Sequence, residues 1–264
     1  MTAAVCVLGP SGKMGRAVIE AASGRGDVEI LAAVDTPGAR ILGTQIVQGV
    51  VATADLAASL EVCDVYIDFT TPSATRAVAR VAALAGRAAV IGTTGLAADD
   101  EAAIAALAMV APVVVAANFS LGVNMMLGLV RQAARALGSS EWDAEVSEIH
   151  HRAKRDAPSG TALAIARAIA AGHGSDYDQV KRHARDGEVG ARPRGEIGVT
   201  AVRGGDVIGE HTAFFFGAAE RLEITHRATS RSIFAVGALR AAAWVVGKPP
   251  GRYDMLDVLG FATA

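Results

Sequence analysis

The sequence predicts an α/β protein: a Rossmann-like, doubly wound parallel sheet carrying an inserted α+β domain. Three observations predict it. From residue 1 to about 120, short β-branched runs alternate with Ala-rich helical stretches, the pattern of a parallel sheet with helices on both faces. Glycines punctuate the turn after the first strand. From about 121 to 230 the pattern changes to strands and turn signals, with a helix after Thr161 and another over Leu127 to Leu137, and a long Ala-rich helical stretch follows over 232–246. The expected organisation is therefore 1–120 with 231–264 as one domain and 121–230 as the other.

Taken in order, the first strand is Ala3 to Leu8, and it ends at Gly9-Pro10-Ser11-Gly12-Lys13-Met14-Gly15, before a helix through Arg16 to Ala22. Glycines at 9, 12 and 15 let the backbone turn sharply and approach a pyrophosphate at the helix N-terminus. The spacing GxxGxxG is a variant of the dinucleotide fingerprint, and a simple tight turn would also produce it. The next strand, Glu29 to Val34, ends at Asp35, twenty positions beyond Gly15, where an acidic residue would meet ribose hydroxyls. Three further strand ends carry polar clusters: Asp68-Phe69-Thr70-Thr71-Pro72, Gly92-Thr93-Thr94-Gly95 and Ala117-Asn118-Phe119-Ser120. In a doubly wound sheet such ends line one crevice, so their hydroxyls, amide and backbone groups are expected near a nicotinamide. The longest apolar run, Ala102 to Ala117, falls short of the ~20 residues a spanning helix needs and contains Pro112, so it reads as a helix end followed by a buried strand.

Composition narrows the class. In 264 residues, 52% are hydrophobic and 20% charged, with a formal net charge of -2, so there is no electrostatic case for binding nucleic acid or an anionic membrane. Small-molecule chemistry is the expectation. Two cysteines make no disulfide scaffold and suit a reducing compartment, and the N-terminus has no basic segment followed by a long apolar one, so the expected location is the cytoplasm. Neither Cys6 nor Cys63 has a Cys or His at ligand spacing. Glu148, His150, His151 and Asp156 could in principle be recruited by a metal, but no metal is expected.

In the second domain, Arg203-Gly204-Gly205-Asp206 supplies turn chemistry between the runs 197–202 and 207–212, which predicts a hairpin, and 213–216 and 221–226 read as strands. Such a sheet is covered either by its own helices or by a second copy of the chain. Residues 172–194 lack periodicity and read as a long mobile loop near the site. The segment Glu148 to Ala162 concentrates the chemistry: EIHHRAKRDAPSGTA places two imidazoles and an ammonium between a strand end and a helix start. That set suits a dianionic substrate. Ser159 can cap the helix, leaving the amides around Gly160 and Thr161 to face an anion, with Lys154 as a mobile cation. The single histidines His173, His183, His211 and His226 have no partner by spacing and receive no catalytic role.

This segment resembles, without a gap, the E-x-HHxxKxDAPSGTA signature of the dihydrodipicolinate (4-hydroxy-tetrahydrodipicolinate) reductase family of lysine and diaminopimelate biosynthesis. The resemblance extends to the GTTG and AANFS strand ends, to Gly122-Val123-Asn124 and to Gly204 through Thr212. It implies NAD(P)H-dependent reduction of a small cyclic dicarboxylate and assembly into a homotetramer through the second domain. Carried over residue by residue, it implies cofactor contacts at Gly9, Pro10, Ser11, Gly12, Lys13, Met14, Asp35, Gly92, Thr93, Thr94, Ala116, Ala117, Asn118 and Phe119. It implies catalytic roles for His150 and Lys154, and substrate contacts at His151, Ser159, Gly160 and Thr161. Thr36 and Pro37 follow Asp35 where some members carry an Arg, so NADH is the expected preference, with Lys13 and Arg16 keeping NADPH usable. Two other readings use the same fold. A semialdehyde dehydrogenase would need a nucleophilic cysteine that is missing, and an NAD(H)-binding redox sensor would need no histidine–lysine cluster.

Overall fold

A computed structural model of the chain describes residues 2–261, which divide into two compact units: one takes the described residues up to Leu121 and those from Ser232 onward, the other Gly122–Arg231. The first unit opens with β1 (Ala3–Leu8), α1 (Lys13–Ala22), β2 (Val28–Val34), β3 (Gln45–Val47), β4 (Val50–Thr53) and α2 (Leu56–Glu61). It continues with β5 (Val65–Asp68), α3 (Pro72–Ala85), β6 (Ala88–Ile91), α4 (Ala98–Ala108) and β7 (Pro112–Val115). The second unit holds α5 (Leu121–Leu137, from its second residue), β8 (Asp143–His150), α6 (Gly160–His173), α7 (Tyr177–Val180), β9 (Lys181–Arg182), β10 (Ile197–Arg203), β11 (Gly209–Phe216) and β12 (Arg221–Ala228). The chain then returns to the first unit as α8 (Ser232–Val245), β13 (Gly251–Tyr253) and α9 (Met255–Val258).

The first unit is the doubly wound sheet expected, in the order β13-β7-β6-β5-β1-β2-β4-β3. All neighbours run parallel except β3 and β4. Because parallel strands are covered on both sides, alternate residues of β1 serve two cores. Val5 and Val7 pack with α1 and α8, where Ala235, Ala238, Leu239 and Val245 are buried. Cys6 and Leu8 face the other way, against Leu60, Ala79, Ile104 and Leu107. The run read as helix end and buried strand is α4 followed by β7. Strand order reverses at β1, whose Leu8 pairs with Asp68 of β5 on one side and Val34 of β2 on the other. That reversal is the switch point at which such sheets bind ligands.

The second unit is a mixed sheet, β12-β11-β8-β10-β9. Strict alternation along β8 and β11 buries Ala144, Val146, Ala213 and Phe215 against Ile165, Ile169 and Val130, so helices of the same chain cover this face. The opposite face carries Ser147, Ile149, Thr212, Phe214 and Phe216 at half-buried positions.

Two expectations are corrected here. The runs around Gly204-Gly205 form no hairpin, because β8 lies between them, parallel to β10 and antiparallel to β11. The turn wraps the end of β8 instead: Gly204 N–H donates to His150 O (3.0 Å), His151 N–H to Val207 O (2.7 Å) and Arg152 N–H to Gly205 O (3.2 Å). The segment 172–194 is a long loop only in its second half, 183–194, and that half is anchored. The segment contains the end of α6, all of α7 and β9, and is clamped by Arg185 on Glu145 (2.8 and 2.9 Å) and by Arg192 on Asp143 (2.6 Å). Those anchors are at the start of β8, roughly 17 Å (Glu145) and 24 Å (Asp143) of extended chain from His150.

Candidate active site

In the first unit the glycine turn is built as a cradle. Gly9 has φ 66° and donates to Val34 O at 2.8 Å, and Gly12 N–H closes back onto Gly9 O at 2.9 Å. Gly15 is obligatory, since a Cβ there would sit 2.1 Å from Gly9 O. No side chain caps α1 and no acidic residue occupies its first turn, so its free N–H groups remain for an anion. Ser11, Gly12 and Lys13 are exposed around this turn, Met14 half-buried and Pro10 buried. Asp35 closes the loop from the side, accepting from Ser11 N (3.1 Å) and Thr36 N (2.8 Å). Burial acts to raise its pKa, but the Ser11 and Thr36 hydrogen bonds outweigh burial and hold it below its ordinary value.

The neighbouring strand ends are organised by Asp68, which is fully buried. Its carboxylate accepts from Thr70 N (2.8 Å) and Thr70 Oγ1 (2.6 Å), with Thr75 Oγ1 at 2.7 Å and Thr93 Oγ1 at 3.3 Å. The hydroxyls expected to line the crevice are thus partly turned inward: Thr93 is buried, while Thr94 is exposed. At Gly92 a Cβ would lie 2.0 Å from the Phe69 ring, which itself packs edge-on against Phe119 with centroids 5.4 Å apart. Phe119 is 1% exposed, so its side chain belongs to the core. A cleft of about 370 Å³ opens at Thr93, Thr94, Val115, Ala116, Ala117 and Arg252. Asn118 is half-buried there, its Oδ1 accepting from Ser120 N at 2.8 Å. These features fit a dinucleotide: a close-approach turn for the pyrophosphate, a carboxylate for a ribose, and a cleft at adjoining strand ends.

In the second unit the buried face of the sheet turns polar at one end. Glu148 and His150, two apart on β8, point to the same side, and His211 on β11 is the cross-strand partner of Glu148. Glu148 is fully buried and accepts four hydrogen bonds: from Arg203 Nη1 and Nη2 (2.8 Å each), Ser159 N (3.0 Å) and His150 Nδ1 (2.5 Å). Burial alone would raise its pKa, yet Arg203, His150 and the Ser159 amide together hold it below the ordinary value. Ser159 caps α6 through Ala162 N (3.1 Å) and meets His211 Nε2 at 3.1 Å. The His150 and His211 rings stand edge-on, 5.2 Å apart. Burial first, and His150 second, push the His211 pKa down to about 4.

Of the residues singled out from sequence, His150 and Ser159 are joined in this cluster. Ser159 is 2% exposed, with its amide and hydroxyl both engaged by the protein, so it braces the site. Gly160 is exposed and Thr161 half-buried at the start of α6. Lys154 is ion-paired with Asp156 at 2.9 Å, and the Asp156 carbonyl accepts from Arg203 (2.7 Å). His151 is half-buried, its backbone pinned by Val207. Sequence reasoning missed Arg203, Glu148 as a partner of His150, and His211. The i, i+2 spacing on a strand was the available signal for Glu148, whereas Arg203 and His211 arrive through strand pairing. Among the described residues, no group of three His, Cys, Asp or Glu side chains could hold a metal ion.

A doubly wound sheet with a dinucleotide-type glycine cradle, in one chain with a buried carboxylate–histidine cluster followed four residues on by the Lys154 ammonium, defines a nicotinamide-dependent oxidoreductase. The chain belongs to the dihydrodipicolinate reductase family: residues 3–119 match its N-terminal domain and residues 122–259 its C-terminal domain. A 4-hydroxy-tetrahydrodipicolinate reductase of Alkalilimnicola ehrlichii is 48% identical over 267 positions, covering 98% of this chain and 100% of the relative. One of Caulobacter vibrioides is 47% identical, covering 97% of each. A dipicolinate-bound dihydrodipicolinate reductase from Paenisporosarcina sp. TG-14 superposes with a TM-score of 0.80 at 26% identity, covering 97% of this chain and 99% of that one.

Proposed function

We propose that this chain reduces 4-hydroxy-tetrahydrodipicolinate, with NAD(P)H and loss of water, to tetrahydrodipicolinate. The observation that carries the proposal is the Glu148–His150 pair, buried where β8 meets the start of α6 and followed four residues later by Lys154. When bound, NAD(P)H supplies the hydride that adds to the conjugated C=C–C=N system left after dehydration. The residues of the chain then hold two carboxylates and hand a proton to the ring nitrogen. His150 is the general acid, its ring able to carry a proton on Nε2 while Nδ1 is held by Glu148. Lys154, released from Asp156, and His151 hold carboxylates with the Gly160 and Thr161 amides, which favours the charge-shifted transition state.

Gly9 to Met14, Asp35, Gly92 to Thr94 and Ala116 to Phe119 hold the cofactor, Phe119 through its backbone. The Asp35 carboxylate suits two free ribose hydroxyls and repels a 2′-phosphate, so NADH is preferred. Exposed Lys13 and Arg16 keep NADPH usable, with a difference of about 1 to 2 kcal/mol if one charge-assisted contact is missing. A clear NADPH preference in kcat/KM at one ionic strength refutes the Asp35 argument. The half-buried sheet face with Ile149, Phe214 and Phe216 meets its counterpart in a homotetramer, and light scattering from a stable monomer would refute that assembly. Two free, buried cysteines suit a reducing compartment, and the cytoplasm is the proposed location.

The deciding assay couples the chain to dihydrodipicolinate synthase, which makes the unstable substrate from pyruvate and aspartate semialdehyde, while NAD(P)H absorbance is followed. Absorbance loss that requires both enzymes supports the proposal. No loss with folded, cofactor-binding protein overturns it.

A further inference from the structure

We propose that Glu148 is a positioning residue for His150: clamped by Arg203 and the Ser159 amide, it accepts the hydrogen bond from Nδ1–H and leaves Nε2 as the one ring nitrogen that can deliver a proton. The inference rests on the reading of His150 as general acid.

An ionised carboxylate only accepts, and its two oxygens offer about four lone-pair sites. At Glu148 all four are used: Oε1 takes Arg203 Nη2 and Ser159 N, and Oε2 takes Arg203 Nη1 and His150 Nδ1. Nδ1 must therefore carry a hydrogen, whether His150 is neutral or charged. The neutral ring is the Nδ1–H tautomer, and the imidazolium has a single transferable proton, on Nε2. That nitrogen makes no hydrogen bond among the described residues. The backbone beneath it is Gly209, where a Cβ would stand 2.9 Å from Nε2, so this glycine leaves the ring room. The charged and titratable groups around His150 come from every side: Glu148 on the same strand, Arg203 at the end of β10, His211 on β11 and Lys154 in the following loop. Arg203 and the Ser159 amide hold Glu148 ionised, and His211 is kept neutral by burial, which leaves Glu148 as the sole anion touching the ring among the described residues. In the proton step, the Nε2–H bond breaks as the bond to the substrate nitrogen forms. Nδ1–H stays on Glu148, and water restores the Nε2 proton afterwards.

A carboxylate that merely satisfied Arg203 would not dictate the tautomer of a neighbouring ring, and this separates the two roles. The test is the ¹⁵N spectrum of the full-length, histidine-labelled protein at pH 8, with the His150 signals assigned by their loss in His150→Gln. The expected result is a protonated Nδ1 and a bare Nε2, the reverse of the tautomer favoured by free histidine. A protonated Nε2 with a bare Nδ1 overturns the inference on the wild-type protein alone. Glu148→Gln is expected to abolish the pure Nδ1–H signature and lower kcat at least tenfold with NADH affinity unchanged, while Glu148→Asp restores part of both. A Glu148→Gln enzyme with the wild-type pH profile and kcat also overturns it. The two readings fail separately: Nε2–H in an active enzyme removes the positioning role, whereas Nδ1–H in an enzyme inactive in the coupled assay removes the proposed reaction.

Discussion

Acidification from pH 8 to pH 5 is expected to destabilise the second unit through His211, and the magnitude follows from its burial. Its folded pKa is about 4 against an ordinary 6.5, so the folded state binds fewer protons than the unfolded chain between those values. Stability contributed by this group is full above pH 6.5, falls as pH is lowered through the window, and is flat again below about 4. The whole gap corresponds to ~3.4 kcal/mol at ~1.36 kcal/mol per pH unit. At pH 5 about 1.5 of the 2.5 units have been traversed, a loss of ~2 kcal/mol. His173 and His226, also depressed by burial, act in the same direction, so the wild-type loss exceeds this figure. Glu148 acts lower: its stabilisation is present above its ordinary value of 4.5 and is lost only as pH falls further. The assay is urea unfolding of wild type and His211→Gln at both pH values, because the difference of differences isolates His211. The variant should start less stable at pH 8, through the lost Ser159 contact, yet lose ~2 kcal/mol less than wild type on going to pH 5. Equal losses in the two proteins would refute the depressed pKa, and with it the claim that His211 is neutral beside His150.

Gly15→Ala forces a Cβ to within 2.1 Å of Gly9 O, so the cradle must open. NADH affinity is expected to fall at least tenfold and the melting temperature to fall with it, and fluorescence titration giving wild-type affinity would contradict the role assigned to the turn. Lys154→Ala should lose roughly 2 to 4 kcal/mol in kcat/KM, through both binding and transition-state stabilisation. His150→Gln should lower kcat and leave NADH affinity near its original value, and normal turnover by both variants would sink the site assignment.

The first unit was the more legible half, for a reason visible in its strands. Val65-Tyr66-Ile67 and Ala88 to Ile91 are buried at every position, and such apolar runs between Ala-rich helices are the pattern of a parallel sheet. Its edges were not legible. Gln45–Val47, Val50–Thr53 and Gly251–Tyr253 are short and partly exposed, so neither periodicity nor composition separates them from loop. In the second unit the turn Arg203-Gly204-Gly205-Asp206 was recognisable as a turn, but turn chemistry is silent about what runs between its flanking strands. A third strand, β8, does, and it takes the hydrogen bonds that a hairpin would have made with itself.

The same distinction governs the site. Whatever is local could be read: the Ser159 cap, the positions of His150 and Lys154, and in hindsight the Glu-x-His spacing that sets two side chains on one face of a strand. His211 could not be read, because its place beside Ser159 depends on the pairing of β11 with β8. A slip of one residue would send it to the opposite face, along with Ala213 and Phe215, which now lie in the core. The apolar residues that hold the sheet against α6 therefore also enforce the register that brings His211 next to Glu148 and His150. Core packing and the acid–base cluster are one constraint, so a substitution at Phe215 that loosened the pairing would be felt at His150 without touching it.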